Sequence, residues 1–408
     1  MSMTHAARTE KANPQIAIVG SGPAALMMAD VLSSPQNNLN VHVFERRPAV
    51  ARKLFIAGAS GLNISSSVDE RELLDMYPTQ QREHWKAVFQ HFGVQSWLNF
   101  LEKELGQKTF LGTSRRYFLQ DMKSVHLVRA WKHRLQSRGV DIHAHYELTD
   151  FVSTSDQKIE LRFLNGESKS FDGVAMALGG ASYEDHIPKW PQMFQNRPVK
   201  FIEFQAANVG YQVHWSPPFL KEAEGGYLKN IIVKSSRGFR RGDVVITSYG
   251  LEGTPIYFLG ETGRVYLDLK PDLSLDEMRL KTSQYRENFS PLRLVNKYLN
   301  LSTVAQSLLF HMPPTDIRKL SLEEILILLK NFPLELTSPQ PIAEAISTSG
   351  GIDMNELNQH MMVKSIPGLF LAGEMLDWSA PTGGFLIQGC VSQGCYAAKG
   401  LLEFLIIK

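Results

Sequence analysis

Cysteine is nearly missing from this chain: there are two in 408 residues, Cys390 and Cys395. Five positions apart, they form neither a C-x-x-C redox pair nor one face of a helix, and they read as buried thiols. An excess of one charge is missing as well. Lys and Arg number 43 against 41 Asp and Glu, a net +2, which supplies no field for nucleic acid or an anionic membrane. The one short basic cluster, Arg237, Arg240 and Arg241, sits beside glycines and reads as a solvated turn. No apolar run reaches the roughly 20 residues of a membrane span. The first fifteen residues carry His5, Arg8, Glu10 and Lys11 without an apolar core, and read as a ragged tail, not a secretory signal. These absences lead us to expect a cytoplasmic chain with neither a membrane nor a nucleic-acid partner.

What is present is a globular composition, 43% hydrophobic and 21% charged, in a chain long enough for two or three cores. Ile16-Ala17-Ile18-Val19 is an apolar run of the kind that forms a buried parallel strand. Gly20-Ser21-Gly22-Pro23-Ala24-Ala25 follows, and Leu26, Met27, Ala29, Val31 and Leu32 continue on a helical path. Strand, glycine-rich turn and helix make G-x-G-x-x-A, a variant of the dinucleotide fingerprint. Gly22 leaves room for a pyrophosphate, and the helix N-terminus offers free N–H groups to the anion. A second strand, Val41-His42-Val43-Phe44, ends in Glu45, where a carboxylate can accept both ribose hydroxyls. Glu45 would repel a 2′-phosphate, so Arg46 and Arg47 read as solvated or phosphate-neighbouring charges and not as an NADP signature.

Later segments turn the expectation from NAD to FAD. Asp172–Gly180 reads as a buried strand ending in the pair Gly179-Gly180, where backbone passes close to a ligand. Pro367–Gly373 is another strand, ending in Gly373 and Glu374, with the acid placed to hydrogen-bond a ribityl chain. Pro381-Thr382-Gly383-Gly384-Phe385 then opens a small-residue helix whose N-terminus suits the negative charge of a reduced flavin. No second G-x-G-x-x-G follows a strand in mid-chain, so a separate nicotinamide-binding domain is not expected.

Between these segments, Trp85, Val88, Phe89 and Phe92 mark a helical core stripe. A helix over Val125–Arg138 and a strand over Val140–His145 return the chain to the same sheet, with the backbone near Leu148 expected to touch adenine. His143 and His145 alternate on that strand and invite a metal reading, but no third ligand is evident in sequence and no metal is assigned. Residues 201–269 alternate as short strands, a barrel-like or sandwich-like unit, and 275–330 are helical.

The stretch Arg52–Ser65, together with Ala380–Phe385, resembles a bacterial family of NAD(P)/FAD-dependent oxidoreductases that includes aminoacetone-oxidase-like and bile-acid-reductase-like flavoproteins. The resemblance runs from about Ile16 to the end, and Ala345–Gly351 and Gly373–Trp378 resemble one subgroup of it. It implies an α/β fold: a Rossmann-type FAD-binding domain built from both chain ends (16–200 and 341–408), with an inserted middle, β-rich over 201–270 and helical over 271–340. Better-known members carry Arg-Cys-Asn where this chain has Gly61-Leu62-Asn63, so only Arg52, Lys53 and Asn63 carry over, as flavin or pyrophosphate contacts. The implied function is an FAD-dependent reductase or oxidase of a small organic substrate bound between domains, with NADH or NADPH as transient donor. The alternatives are a hydroxylase-type flavin monooxygenase, disfavoured by Gly179-Gly180 in place of Asp-Gly, and a non-enzymatic redox or RNA-partner flavoprotein. No catalytic acid or base stands out; Asp377, Tyr183 and His186 have suitable chemistry near the flavin loops.

Overall fold

The computed structural model describes residues 13–58, 62–184, 187–283 and 289–408. Of the positions singled out above, the tail up to residue 12, Ala59–Gly61 and His186 lie outside the described residues. The chain divides into two compact units. The first takes the chain up to Ala181, a stretch ending at Phe204, and Ser349–Lys408; the second is formed chiefly by Gln205–Thr348.

Five parallel strands organise the first unit, in the order Leu369–Leu371, Gly173–Met176, Gln15–Val19, Asn40–Glu45 and Asp141–Ala144. An all-parallel sheet is covered on both faces, and Ile16, Ile18, Val43, Phe44, Val174, Met176 and Leu369 are accordingly buried. Gln15–Val19 is the central strand, so the glycine turn after it lies midway along the row of strand ends. The helix Ser124–Ser137 buries Val128, Trp131 and Leu135 and leads into the outermost strand.

The fingerprint helix, Pro23–Leu32, is buried along most of its length and packs against the 23-residue C-terminal helix, Phe385–Ile407. The sequence reading found no apolar run of membrane-spanning length, and this helix corrects it: length and a mean hydropathy of 1.2 qualify it. Periodic glycines and three polar residues had hidden the run. Those residues, Gln388, Ser392 and Gln393, are fully buried inside the protein, as in the core helix of a folded domain.

The second unit has its own core. Its six antiparallel strands run in the order Tyr211–Gln212, Gly250–Glu252, Gly238–Ile246, Tyr227–Ser235, Gly263–Asp268 and Phe332–Leu336. The two ends of this row meet, as the barrel-like expectation has it: the Gln212 N–H donates to the Ser338 carbonyl at 2.8 Å and the Thr337 N–H to the Gln212 carbonyl at 2.9 Å, so the segment after Phe332–Leu336 pairs back onto the first strand. Alternation in sequence reports one buried face per strand but not what buries it; here Val233, Val244 and Leu267 share a core with Leu308, Leu309, Ile325 and Leu329 from helices. The helix Leu322–Lys330 starts with a capping box, Ser321 and Glu324 each satisfying the other's backbone N–H.

Asp30 puts a carboxylate inside the first unit, on the fingerprint helix. Arg134 Nε donates to both its oxygens at 3.2 and 2.9 Å, and Arg138 Nη1 donates to Oδ1 at 2.9 Å. Burial pushes the carboxyl above its ordinary range while the two guanidinium groups pull it back. Removing one member of such a group leaves the others uncompensated, at a cost of about 3–5 kcal/mol. Asp30→Ala is therefore expected to lower unfolding free energy by that amount in urea titrations. A loss under about 1 kcal/mol, the value of a surface pair, would show that the cluster is not an interior one.

Candidate functional site

In open parallel sheets, ligands bind beyond the carboxyl ends of the strands. Four of the segments picked out from sequence lie there, on neighbouring strands: Gly20–Ala24, Glu45–Arg46, Ala177–Gly180 and Gly373–Glu374.

Gly20 has φ +103°, and a β-carbon on it would lie 2.3 Å from the Ala177 carbonyl oxygen, so this turn and the next strand's end are pressed together. Gly22 differs. It is the N-cap of the fingerprint helix with φ −70° and ψ 179°, and a β-carbon there would meet nothing within 4 Å. Pro23 stands at the first helical position and no side chain caps the helix, so the N–H groups of its first turn are presented at that opening. The Ser21 hydroxyl donates to Glu45 Oε2 and accepts the Ala51 N–H at 3.0 Å, while Glu45 Oε1 accepts the Arg47 N–H at 2.8 Å. Ser21 thus holds the Glu45 carboxylate in place. Arg46 is exposed and Arg52 half-buried.

Lys53, on the short helix Arg52–Ala57, donates to the Gly180 carbonyl at 2.8 Å, and Trp190 Nε1 donates to the Gly179 carbonyl at 3.2 Å. Glu374, at the end of the strand Leu369–Leu371, is largely buried. Burial raises its carboxyl above the ordinary range, and the nearby Lys53 ammonium opposes the rise. Gly373 is pinned on both sides: its N–H donates to Gln393 Oε1 at 3.0 Å, and its carbonyl accepts Trp378 Nε1 at 2.9 Å. Gln393 Nε2 lies 3.4 Å from His84 Nε2, whose imidazole burial pushes down to about 4, leaving it neutral at neutral pH.

Asn63 opens the strand Asn63–Ser66, and its Oδ1 is buried without a hydrogen-bond partner among the described residues. An acceptor left so costs about 1–3 kcal/mol, which a bound group bringing a donor would recover. Gly384, the N-cap of the C-terminal helix, presses on the same strand: at φ +94°, a β-carbon there would lie 2.5 Å from the Ser65 nitrogen. The sequence reading attributed this glycine to close approach by a flavin; the neighbouring strand already demands it. Gly383 has the Arg116 guanidinium beside it, and Phe385 is buried, with its carbonyl accepting the Tyr77 hydroxyl at 2.7 Å.

Other expected positions are not gathered here. Leu148 begins a strand of a separate three-stranded sheet; it is Tyr146, two residues earlier, whose N–H donates to the Glu45 carbonyl at 2.9 Å. Asp377 accepts the Gly350 N–H at 2.9 Å, a loop-ordering role, and Tyr183 falls in the second unit. His143 is joined not by His145 but by His42 and Asp141. Cys390 and Cys395 are buried free thiols, as expected, the latter pushed up to about 12 by burial. Sequence reasoning missed Arg116 and the polar series Gln388, Ser392 and Gln393. Polar side chains recurring in an otherwise apolar helix were the available signal.

Comparison with known proteins decides the family. A family model described as HI0933-like protein Rossmann domain matches residues 14–400. The chain belongs to that family. As a member of the HI0933-like family it is an FAD-dependent oxidoreductase, with the α/β architecture and the cofactor that its sequence led us to expect. It is 20% identical to a 3-dehydro-bile acid delta(4,6)-reductase of Clostridium scindens over 432 aligned residues, 95% of this chain and 99% of that protein. It is 22% identical to a ribosomal RNA dihydrouridine synthase of Escherichia coli K12, over 59% of this chain and 63% of that one. Among solved structures, a 3-ketosteroid-delta4-(5alpha)-dehydrogenase of Rhodococcus jostii RHA1 shares the fold, with a TM-score of 0.51 and 12% identity, 98% of this chain covering 99% of that chain.

The Gly384 contact makes a direct prediction. Gly384→Val forces a branched side chain into the backbone of Ser65 at positive φ, and is expected to cost flavin-free protein about 2 kcal/mol or more. Flavin-free variant as stable as wild type in urea, with only the flavin spectrum altered, would overturn this assignment.

Proposed function

We propose that this FAD-dependent oxidoreductase saturates a carbon–carbon double bond in a small organic substrate, using NADH or NADPH as its electron donor. The observation that carries the reading is shared chemistry among relatives. A delta(4,6)-reductase and a dihydrouridine synthase, as named, both add hydrogen across a carbon–carbon double bond. Small-molecule substrates are favoured because the bile-acid enzyme aligns over nearly its full length, and because a net charge of +2 is a poor match to RNA. The RNA reading rests on the second relative, which aligns over little more than half of this chain.

In this reading bound FAD would supply hydride chemistry between the nicotinamide and the substrate, and the second hydrogen of the saturated product would come as a proton from solvent. The protein's part is to hold and bias. The first-turn N–H groups of the fingerprint helix meet the pyrophosphate at the opening left by Gly22, with Arg52 as the nearby cation. Glu45, its carboxylate fixed by Ser21 and the Arg47 N–H, retains lone pairs for the ribose hydroxyls. Glu374 takes the ribityl hydroxyls, and Lys53 balances its charge. Asn63 Oδ1 gains the donor it lacks. Gly383-Gly384-Phe385 presents the C-terminal helix end, with Arg116 beside it, to the flavin edge that gains negative charge on reduction.

Anaerobic mixing of the holoenzyme with each nicotinamide is expected to bleach the visible flavin band. Adding an α,β-unsaturated ketosteroid should then restore it and yield the saturated ketone. No bleaching by either nicotinamide would refute the donor. Restoration by oxygen alone, or by a uridine-containing RNA and no enone, would refute the small-molecule substrate.

A further inference from the structure

On the sheet edge, three side chains that the flavin site does not use converge. Asn40–Glu45 and Asp141–Ala144 are parallel neighbours with His42 opposite Asp141 and Phe44 opposite His143. Alternate residues of a strand share a face, so His42, Asp141 and His143 all project from the same side. His42 Nδ1 lies 3.3 Å from His143 Nε2 and 3.5 Å from Asp141 Oδ2, and the three ligand atoms are all within 4.8 Å of one another.

From this arrangement we infer a binding site for a divalent transition metal of the zinc class, held by His42 Nδ1, His143 Nε2 and an Asp141 carboxylate oxygen. The spacing fits. Metal–nitrogen bonds of about 2.0–2.1 Å at a tetrahedral centre put two nitrogens about 3.3 Å apart. The tautomer fits too. Gln15 Nε2 donates to the Asn13 carbonyl at 3.2 Å, which turns its Oε1 toward His42 Nε2 at 3.1 Å. An amide oxygen only accepts, so the His42 proton sits on Nε2 and its Nδ1 lone pair faces His143. An outer hydrogen bond of this kind is what orients metal-binding histidines. Phe44 stacks on His143 with centroids 4.7 Å apart and holds that ring in place.

The local charge permits a cation. Lys169 lies nearby, over the Tyr146 ring at 5.0 Å, but it pairs with Glu167 at 3.2 Å, leaving the Asp141 carboxylate to meet the metal. Asp141 is two-thirds exposed, so the fourth position opens to water. Two imidazoles and one carboxylate suit zinc better than calcium or magnesium, which prefer all-oxygen sites. The metal would tie the outermost strand of the parallel sheet to its neighbour.

The test is calorimetric titration of chelator-treated holoenzyme with ZnCl2. Wild type is expected to bind one zinc per chain. Asp141→Ala, a surface change, and His143→Gln should each weaken binding by more than 100-fold, while Gln15→Leu should weaken it about 10–100-fold, as loss of an outer partner does. Flavin content and metal-free urea midpoints should match wild type, which separates metal loss from misfolding. Absence of zinc binding by wild type, or equal binding by wild type and both ligand variants, would reduce the cluster to a hydrogen-bonded histidine pair.

Discussion

At Gly394 the C-terminal helix meets the fingerprint helix so closely that a β-carbon would lie 2.3 Å from the Ala24 carbonyl oxygen. Much of the first unit follows from that contact. Glycine inside a helix costs roughly 0.5–1 kcal/mol relative to alanine; here it lets two helix backbones touch, which fixes the start of the fingerprint helix relative to the last segment of the chain. Cys390, one turn earlier, comes within 3.8 Å of where a β-carbon on Gly373 would be, and that same β-carbon would lie 3.1 Å from Ala24 Cβ. The turn after the central strand and the glycine-acid turn near the C-terminus are thereby locked to one another.

The buried polar residues of that helix extend the arrangement. Ser65 donates to Gln388 Oε1 at 2.7 Å, Gln388 Nε2 donates to Ser392 at 2.9 Å, and Ser392 donates to the Phe92 carbonyl at 2.7 Å. Gln393 takes the Gly373 N–H. Satisfied interior polar groups of this kind define one register where apolar packing alone would tolerate several. They tie the strand bearing Asn63 and the strand end bearing Glu374 to the one helix that Gly384 caps.

Legibility in the sequence tracked how local the physics was. Strand, glycine turn and helix over residues 16–32 were readable because fingerprint geometry is set by adjacent residues. The glycine pair at 179–180 and the glycine-acid end at 373–374 were readable because apolar runs stop there. What escaped depended on partners far along the chain. Gly384 answers to Ser65, and His143 to His42; neither relation leaves a mark in spacing, since parallel register is set by the whole sheet. The barrel-like pairing of the second unit was legible in the alternation of its strands, whereas the helices that share its core were not, since alternation shows one buried face per strand and leaves its cover unspecified. The family resemblance supplied the placement of Arg52, Lys53 and Asn63, which composition and periodicity alone did not carry.

The account's central claim is that the space beside Gly22 is kept for the cofactor and not for the protein's own packing. Gly22 has a φ of −70° that any residue adopts, and a β-carbon there would meet nothing within 4 Å. The most direct measurement is Gly22→Val, assayed by urea unfolding of flavin-free protein and by FAD titration. The account predicts flavin-free stability within about 0.5 kcal/mol of wild type and FAD affinity at least tenfold weaker, about 1.4 kcal/mol. Undiminished FAD affinity in a folded variant would contradict it.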